Sequence, residues 1–191
     1  MSVPWLAYIA FWAWWLVVLA TVPRMGWSDD HPLVWAALVL GAIMNTIGWI
    51  EADLGIANRA ISYIVPTTTA LLLGWVLLEY AERNGWVPYV LAAIGLVTIA
   101  SILTLDADQT EVAWQSVMRL AVGVLALRRA WYGADPLAVA VLTVLVVPLP
   151  GLWLKEVALT QQWWTTYLVG YHWEIGTHLV GVGLLGRWMW Q

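Results

Sequence analysis

Cysteine is absent from the 191 residues, which excludes disulfides, thiolate zinc sites, iron–sulfur clusters and cysteine nucleophiles. Charge is scarce as well. Asp, Glu, Lys and Arg make up 10% of the chain, where a soluble domain carries about a quarter. With eight Lys and Arg in all and a net charge of -4, no phosphate-binding face can be assembled, so nucleic acid is excluded as a partner. The single lysine, Lys155, falls at an expected helix end rather than deep in the last apolar stretch, where a retinal Schiff base would need it. Histidine numbers three, too few for an iron box, and no nucleophile–base pair of the hydrolase kind is visible. No enzymatic activity and no metal site are expected.

Apolar residues dominate, at 62%. A chain so apolar has no water-facing surface to build from, so lipid must be its solvent. A helix needs about 20 apolar residues to cross the hydrocarbon. Seven stretches qualify, at about 5–22, 33–50, 60–82, 86–105, 112–132, 136–154 and 163–190. Turn signals separate them: Pro23 to Pro32, Asn84-Gly85, Asp106 to Asp108, and Gly133 to Pro136. The first stretch has neither a basic leader nor a small-residue cleavage site, as a span rather than a signal peptide requires. The expected fold is therefore all-α: one integral membrane domain over residues 1–191, a polytopic bundle of about seven transmembrane spans. The fifth span contains Arg119; were it to lie on the membrane surface instead, six would remain.

Orientation follows from the positive charges. One side would hold Arg24, Arg83, Arg128, Arg129 and Arg187, the other only Arg59 and Lys155. The C-terminus is then cytoplasmic and the N-terminus outside, in a bacterial or archaeal cytoplasmic membrane. The outer loops carry Glu51, Asp53, Asp106, Asp108, Glu111 and Glu156. The 17 tryptophans mostly fall near span ends, where an indole is half buried with its N–H wet. Trp12, Trp14, Trp15, Trp75 and Trp173 lie deeper.

An ionisable side chain in hydrocarbon is costly and marks function by default. Arg119 and Glu174 stand out, each roughly 4 Å to the outer side of the midplane at 1.5 Å per residue. Asn45, Thr68 and Thr69 fall at the same depth. Pro148 and Pro150-Gly151 interrupt the sixth span there, and freed carbonyls are tolerated only inside protein or beside a wet cavity. Tyr167, Tyr171, Glu174 and His178 are spaced to share one helical face. This face lines a solute cavity, or Arg119 and Glu174 simply pair and clip two helices together. A candidate substrate site thus comprises Asn45, Thr68, Arg119, Tyr171, Glu174 and His178. His172 points elsewhere. Gly181-x-Gly183-x-x-Gly186 lies within an apolar helix with no strand before it, so it is helix packing rather than a dinucleotide loop.

Residues 33–105 carry a further pattern. Small residues Ala57 to Ser62 lead to Pro66, then an apolar run with Gly74 ends at Glu79, and Trp86 to Gly95 follows. Pro66 precedes Glu79 by thirteen residues and Glu79 precedes Gly95 by sixteen. This resembles the EamA-type repeat of the drug/metabolite transporter superfamily, with Pro88 standing where a glycine is usual. The resemblance implies helices packed round a central cavity and movement of a small solute, with no cofactor. Two other readings stay open. In one, a non-catalytic subunit of a larger energy-converting or photosynthetic assembly packs against partner helices or further copies of itself. A histidine would then ligate a pigment or haem. In the other, a seven-helix sensor passes its signal to a separate partner, since the chain stops right after the last span.

Overall fold

Helices account for all the regular structure in the computed structural model, which describes residues 5–54, 59–78, 80–104 and 108–191. In chain order these are α1 (Trp5–Thr21), α2 (His31–Leu54), α3 (Arg59–Val76), α4 (Tyr80–Arg83), α5 (Val87–Thr104), α6 (Asp108–Gly133), α7 (Pro136–Leu145), α8 (Leu149–Gln161) and α9 (Trp164–Trp188). The fold is all-α. Glu79, Asp106 and residues 55–58 lie outside the described residues, as do the side chains of Trp49, Glu51, Asp53, Arg59, Asp108, Glu111 and Trp114.

Local chemistry sets the boundaries. Ala134 adopts the left-handed conformation (φ 47°) that turns the chain after α6. Asp135 then caps α7, its side chain accepting the Leu137 N–H at 2.9 Å with Pro136 at the first helical position. Gln162, also left-handed (φ 56°), ends α8. Three expected spans are redrawn. The stretch 60–82 ends as a long helix at Val76 and resumes only as the single turn α4. The stretch 136–154 breaks at 146–148, because Pro148 and Pro150 have no N–H to give to the preceding turn. It then runs on to Gln161, which puts Lys155 and Glu156 inside α8 rather than in a loop. The last helix spans Trp164–Trp188 rather than 163–190. The fifth stretch, whose place was open, forms the 26-residue α6, packed on α3, α5, α7 and α8.

Among the described residues, one helical stretch, Pro136–Gln161, is long and apolar enough by itself to cross a membrane. Tyr8–Arg24, His31–Ile47, Ile64–Val76 and Val87–Ser101 are apolar but shorter, at 17 residues or fewer. At 1.5 Å per residue that is at most about 26 Å, against a hydrocarbon thickness of about 30 Å.

Successive long helices run in opposite directions. Trp14 of α1 lies over Gly41 of α2, Trp35 of α2 donates to the Val18 carbonyl of α1, and Val144 of α7 lies against Gly181 of α9. In contrast, α3 and α6 run side by side in the same sense: Gly74 faces Val122, and Arg129 reaches the Val76 carbonyl at 3.2 Å. The bundle consequently has one arginine-rich end. There Arg83 binds Asp30 at 2.7 Å, Arg128 binds Glu82 at 2.6 Å and Arg129 binds Asp135 at 2.8 Å. Arg24 lies between the Trp27 and Trp190 rings, and His31 stacks on Trp188. Arg83 and Arg129 also cover the orphan carbonyls Leu78 and Val76 at the end of α3. The first and last helices both end at this face, where Gly186 of α9 meets Val17 of α1.

Among the described residues, much of the apolar core lies toward the arginine-rich end. Val18, Val34, Leu38, Leu73, Leu77, Val122, Val141, Leu185 and Met189 are fully or almost fully buried, and all belong to the half of the bundle nearest the arginines. Beyond them Thr67, Thr98, Gln115, Ser116 and Arg119 are buried, alongside Val112 and Ala158.

Candidate functional site

Just past the break between α7 and α8, α8 lies against α9 so closely that a Cβ on Gly151 would stand 2.6 Å from the Gly170 carbonyl. Two glycines facing each other are what permit this approach. The same approach carries Lys155 of α8 onto the Glu174 carboxylate of α9 as a direct ion pair, with both side chains largely buried. The expected Arg119–Glu174 pair is therefore not the one formed. Lys155, more than a turn inside α8, reaches the carboxylate first.

Arg119 stands on α6 at the level of Glu174: each lies the same number of residues, about 21 Å, from the helix ends Gly133 and Trp188. It is 8% exposed, and its Nη1 is buried with no hydrogen-bond partner among the described residues. Glu174 is still within electrostatic reach of Arg119 and of His178, one turn further along α9. Two cations thus share one carboxylate, and the guanidinium is the cation left over.

Other polar groups frame the cluster. On α6, Gln115 and Ser116 are buried one turn before Arg119. The Ser116 hydroxyl donates to the Val112 carbonyl at 2.7 Å and accepts from the Trp153 indole N–H of α8 at 3.0 Å. Trp173, one of the deep tryptophans, donates to the Val147 carbonyl at the α7–α8 break at 2.8 Å. Leu149 N–H turns to the Val146 carbonyl, which Pro150 leaves without its helical donor. Tyr171 is half-buried and stacks on Tyr167, ring centres 6.3 Å apart, so the tyrosine–glutamate–histidine stripe does share one face. His172 is exposed, its Nδ1 2.6 Å from the Leu168 carbonyl.

Two expected site residues do not join them. Asn45 turns its amide N–H back to the Gly41 carbonyl of its own helix at 2.9 Å, and α2 packs chiefly on α1 and α3. Thr68 likewise donates to the Ile64 carbonyl of α3 at 2.8 Å. Its neighbour Thr67 belongs to the layer instead. Gly74 packs on Val122 of α6 and Leu91 of α5, and two turns from that contact the three helices present Thr67, Gln115 and Thr98, all buried. Thr98 donates to its own helix at Ile94, whereas the Thr67 hydroxyl has no partner among the described residues.

Among the described residues no three His, Asp or Glu side chains converge as a metal site. At the arginine-rich end, Glu82, Arg128, Arg129, Tyr132, Gly133 and Asp135 line an open cleft of about 760 Å³, with its charges paired to one another. No family model, no curated protein and no solved structure matches the chain.

Proposed function

We propose that the protein is a small multi-pass membrane transporter. A small solute would cross the cytoplasmic membrane through the polar layer between α6, α8 and α9. One observation carries this reading: Arg119, Lys155 and Glu174 are buried together among apolar helices, beside a helix that two prolines have broken. Ionisable groups at such depth are expensive to bury and are retained for substrate or ion passage. Broken helices lining the midplane are a recurrent device of secondary transporters.

Three further points support it. The outward faces are strongly apolar, with Leu16, Leu19, Leu96, Val124 and Val180 each more than half exposed, as lipid contact allows and water does not. Neighbouring short helices can be accommodated by local thinning of the bilayer. Arg24, Arg83, Arg128, Arg129 and Arg187 collect at one end, which makes that end cytoplasmic under the positive-inside rule. The resemblance of residues 33–105 to the drug/metabolite transporter repeat points the same way.

Purified protein in proteoliposomes, challenged with pools of small solutes under an imposed proton or sodium gradient, provides the test. Uptake is expected in the intact protein and lost in Glu174→Gln. Unchanged uptake in Glu174→Gln removes the carboxylate from the mechanism, and a lack of uptake from every pool overturns the transport reading.

A second reading, a packing subunit of a larger assembly, is favoured by Trp12, which is 61% exposed midway along α1 and far from the helix ends where indoles usually settle. Purification from the native membrane with co-purifying subunits and visible colour would select this reading over transport.

A further inference from the structure

We infer that Arg119 is the binding site for the carboxylate of an organic anion, so that the transported solute is a small organic acid. This rests on the transport reading above and assigns its substrate class. The charges decide the sign. Lys155 and Glu174 neutralise each other as a direct pair, which leaves the Arg119 guanidinium as the charge of the cluster with no ion pair of its own among the described residues. A buried cation without a counter-ion is among the least tolerable arrangements a packed interior can hold. Its natural complement is an anion brought in from outside.

Shape narrows the anion. A guanidinium offers parallel N–H donors in a planar fork, which a carboxylate meets with two oxygens at once. Arg119 has the buried Nη1 free for this. The neighbouring helix supplies a second vacancy: Thr67 of α3, two turns below the Gly74–Val122 contact, carries a buried hydroxyl that is also without a partner among the described residues. The same contact sets Thr67 level with Gln115, one turn from Arg119 along α6. Two unsatisfied polar groups on adjacent helices, one cationic and one a neutral hydroxyl, suit a carboxylate on the guanidinium and a second polar group of the solute against the threonine. The glutamate explains why Arg119 stays available. Glu174 is near enough for Arg119 to feel its charge, yet Lys155 holds it.

The probes are benzoate, inorganic phosphate, and the isosteres benzyl alcohol and benzylamine. They are titrated into the purified full-length protein in detergent at constant ionic strength, and intrinsic tryptophan fluorescence reads the unfolding temperature. Benzoate is expected to raise the unfolding temperature saturably. Phosphate, which the fork can also grip with two oxygens but which carries more charge into a buried site, should do so more weakly, and the alcohol and the amine not at all. In Arg119→Gln the benzoate midpoint should weaken about tenfold or more, and in Arg119→Lys, which keeps the charge without the fork, by less. Without ligand, Arg119→Gln should melt no lower than the unaltered protein, because it removes an unpaired buried charge. The inference is overturned if benzoate gives no saturable response, if Arg119→Gln binds it equally well, or if removing Arg119 collapses the fold, since the guanidinium then has a structural partner. Saturable benzoate binding without any uptake would retain the anion site and discard transport. Uptake of neutral or cationic solutes that benzoate neither binds beside nor competes with would do the reverse.

Discussion

Lys155 is held by Glu174 in a setting with little water, and that sets the cost of removing either partner. Lys155→Gln leaves the carboxylate buried without its counter-ion. Because Arg119 is close enough to offset part of that charge, the loss should sit near the lower end of the usual cost, about 3 kcal/mol. Lys155→Gln combined with Glu174→Gln should recover most of it. Unfolding in detergent for the two single variants and the double variant measures the coupling, and purely additive losses would show that the pair is not made. The tyrosine–glutamate–histidine stripe on α9 was legible from spacing alone, because side chains three and four apart must share a helical face. Lys155 was hidden for a physical reason: a lone charge at the edge of an apolar run reads as the end of a span, and only the glycine-to-glycine approach of α8 and α9 shows that the helix continues past it. Thr68 bonds back to its own helix, whereas Thr67 beside it is the buried one. Depth is nearly equal for neighbouring residues, but direction differs by about 100°, and hydropathy carries no information about which of two threonines faces inward.

At the scale of the helices, the contact between α8 and α9 depends on there being no side chain at its centre. Gly170→Ala would set a Cβ 2.6 Å from the Gly151 carbonyl and 3.0 Å from the Leu154 Cβ, forcing the helices apart at a cost of about 1–3 kcal/mol. Gly176 and Gly183 on the same helix face open space. Alanine there should be neutral or gain up to about 1 kcal/mol from helix propensity. Thermal unfolding of the three variants side by side checks this, and equal behaviour would mean that the close approach is not held in solution. The break between α7 and α8 was readable in advance, since Pro148 and Pro150 leave no choice about their missing donors. The early end of α3 was not. Leu77 and Leu78 carry the apolar character straight through the turn, so nothing in the composition marks where the helix stops.

For the whole molecule, the alternating helices put the turn after α1 and the turn after α8 at opposite ends of the bundle, and under the proposed membrane reading these lie on opposite sides of the bilayer. The chain has no cysteine of its own, so Gly26→Cys and Gln162→Cys each introduce a unique label. Gln162→Cys should react with an impermeant maleimide on intact cells, and Gly26→Cys only after the membrane is opened. Equal reaction of both on intact cells rules out the arrangement. The all-α character and the grouping of charge were carried by composition and by arginine positions. Which apolar side chains are buried was not, because apolar content is nearly uniform along the helices and burial depends on the side chains meeting across them.

The break at 146–148 gives α8 mechanical leverage. Lys155 sits roughly 12 Å along the helix from that break, so a pivot of about 10° there swings its amine by about 2 Å, enough to part it from Glu174. Gly151 meets Gly170 beyond that break, with the Trp173 and Leu154 side chains beside the contact and the Trp173 indole donating to the Val147 carbonyl at the break itself. A tilt of that size would part the lysine from the carboxylate and leave Arg119 within electrostatic reach of it.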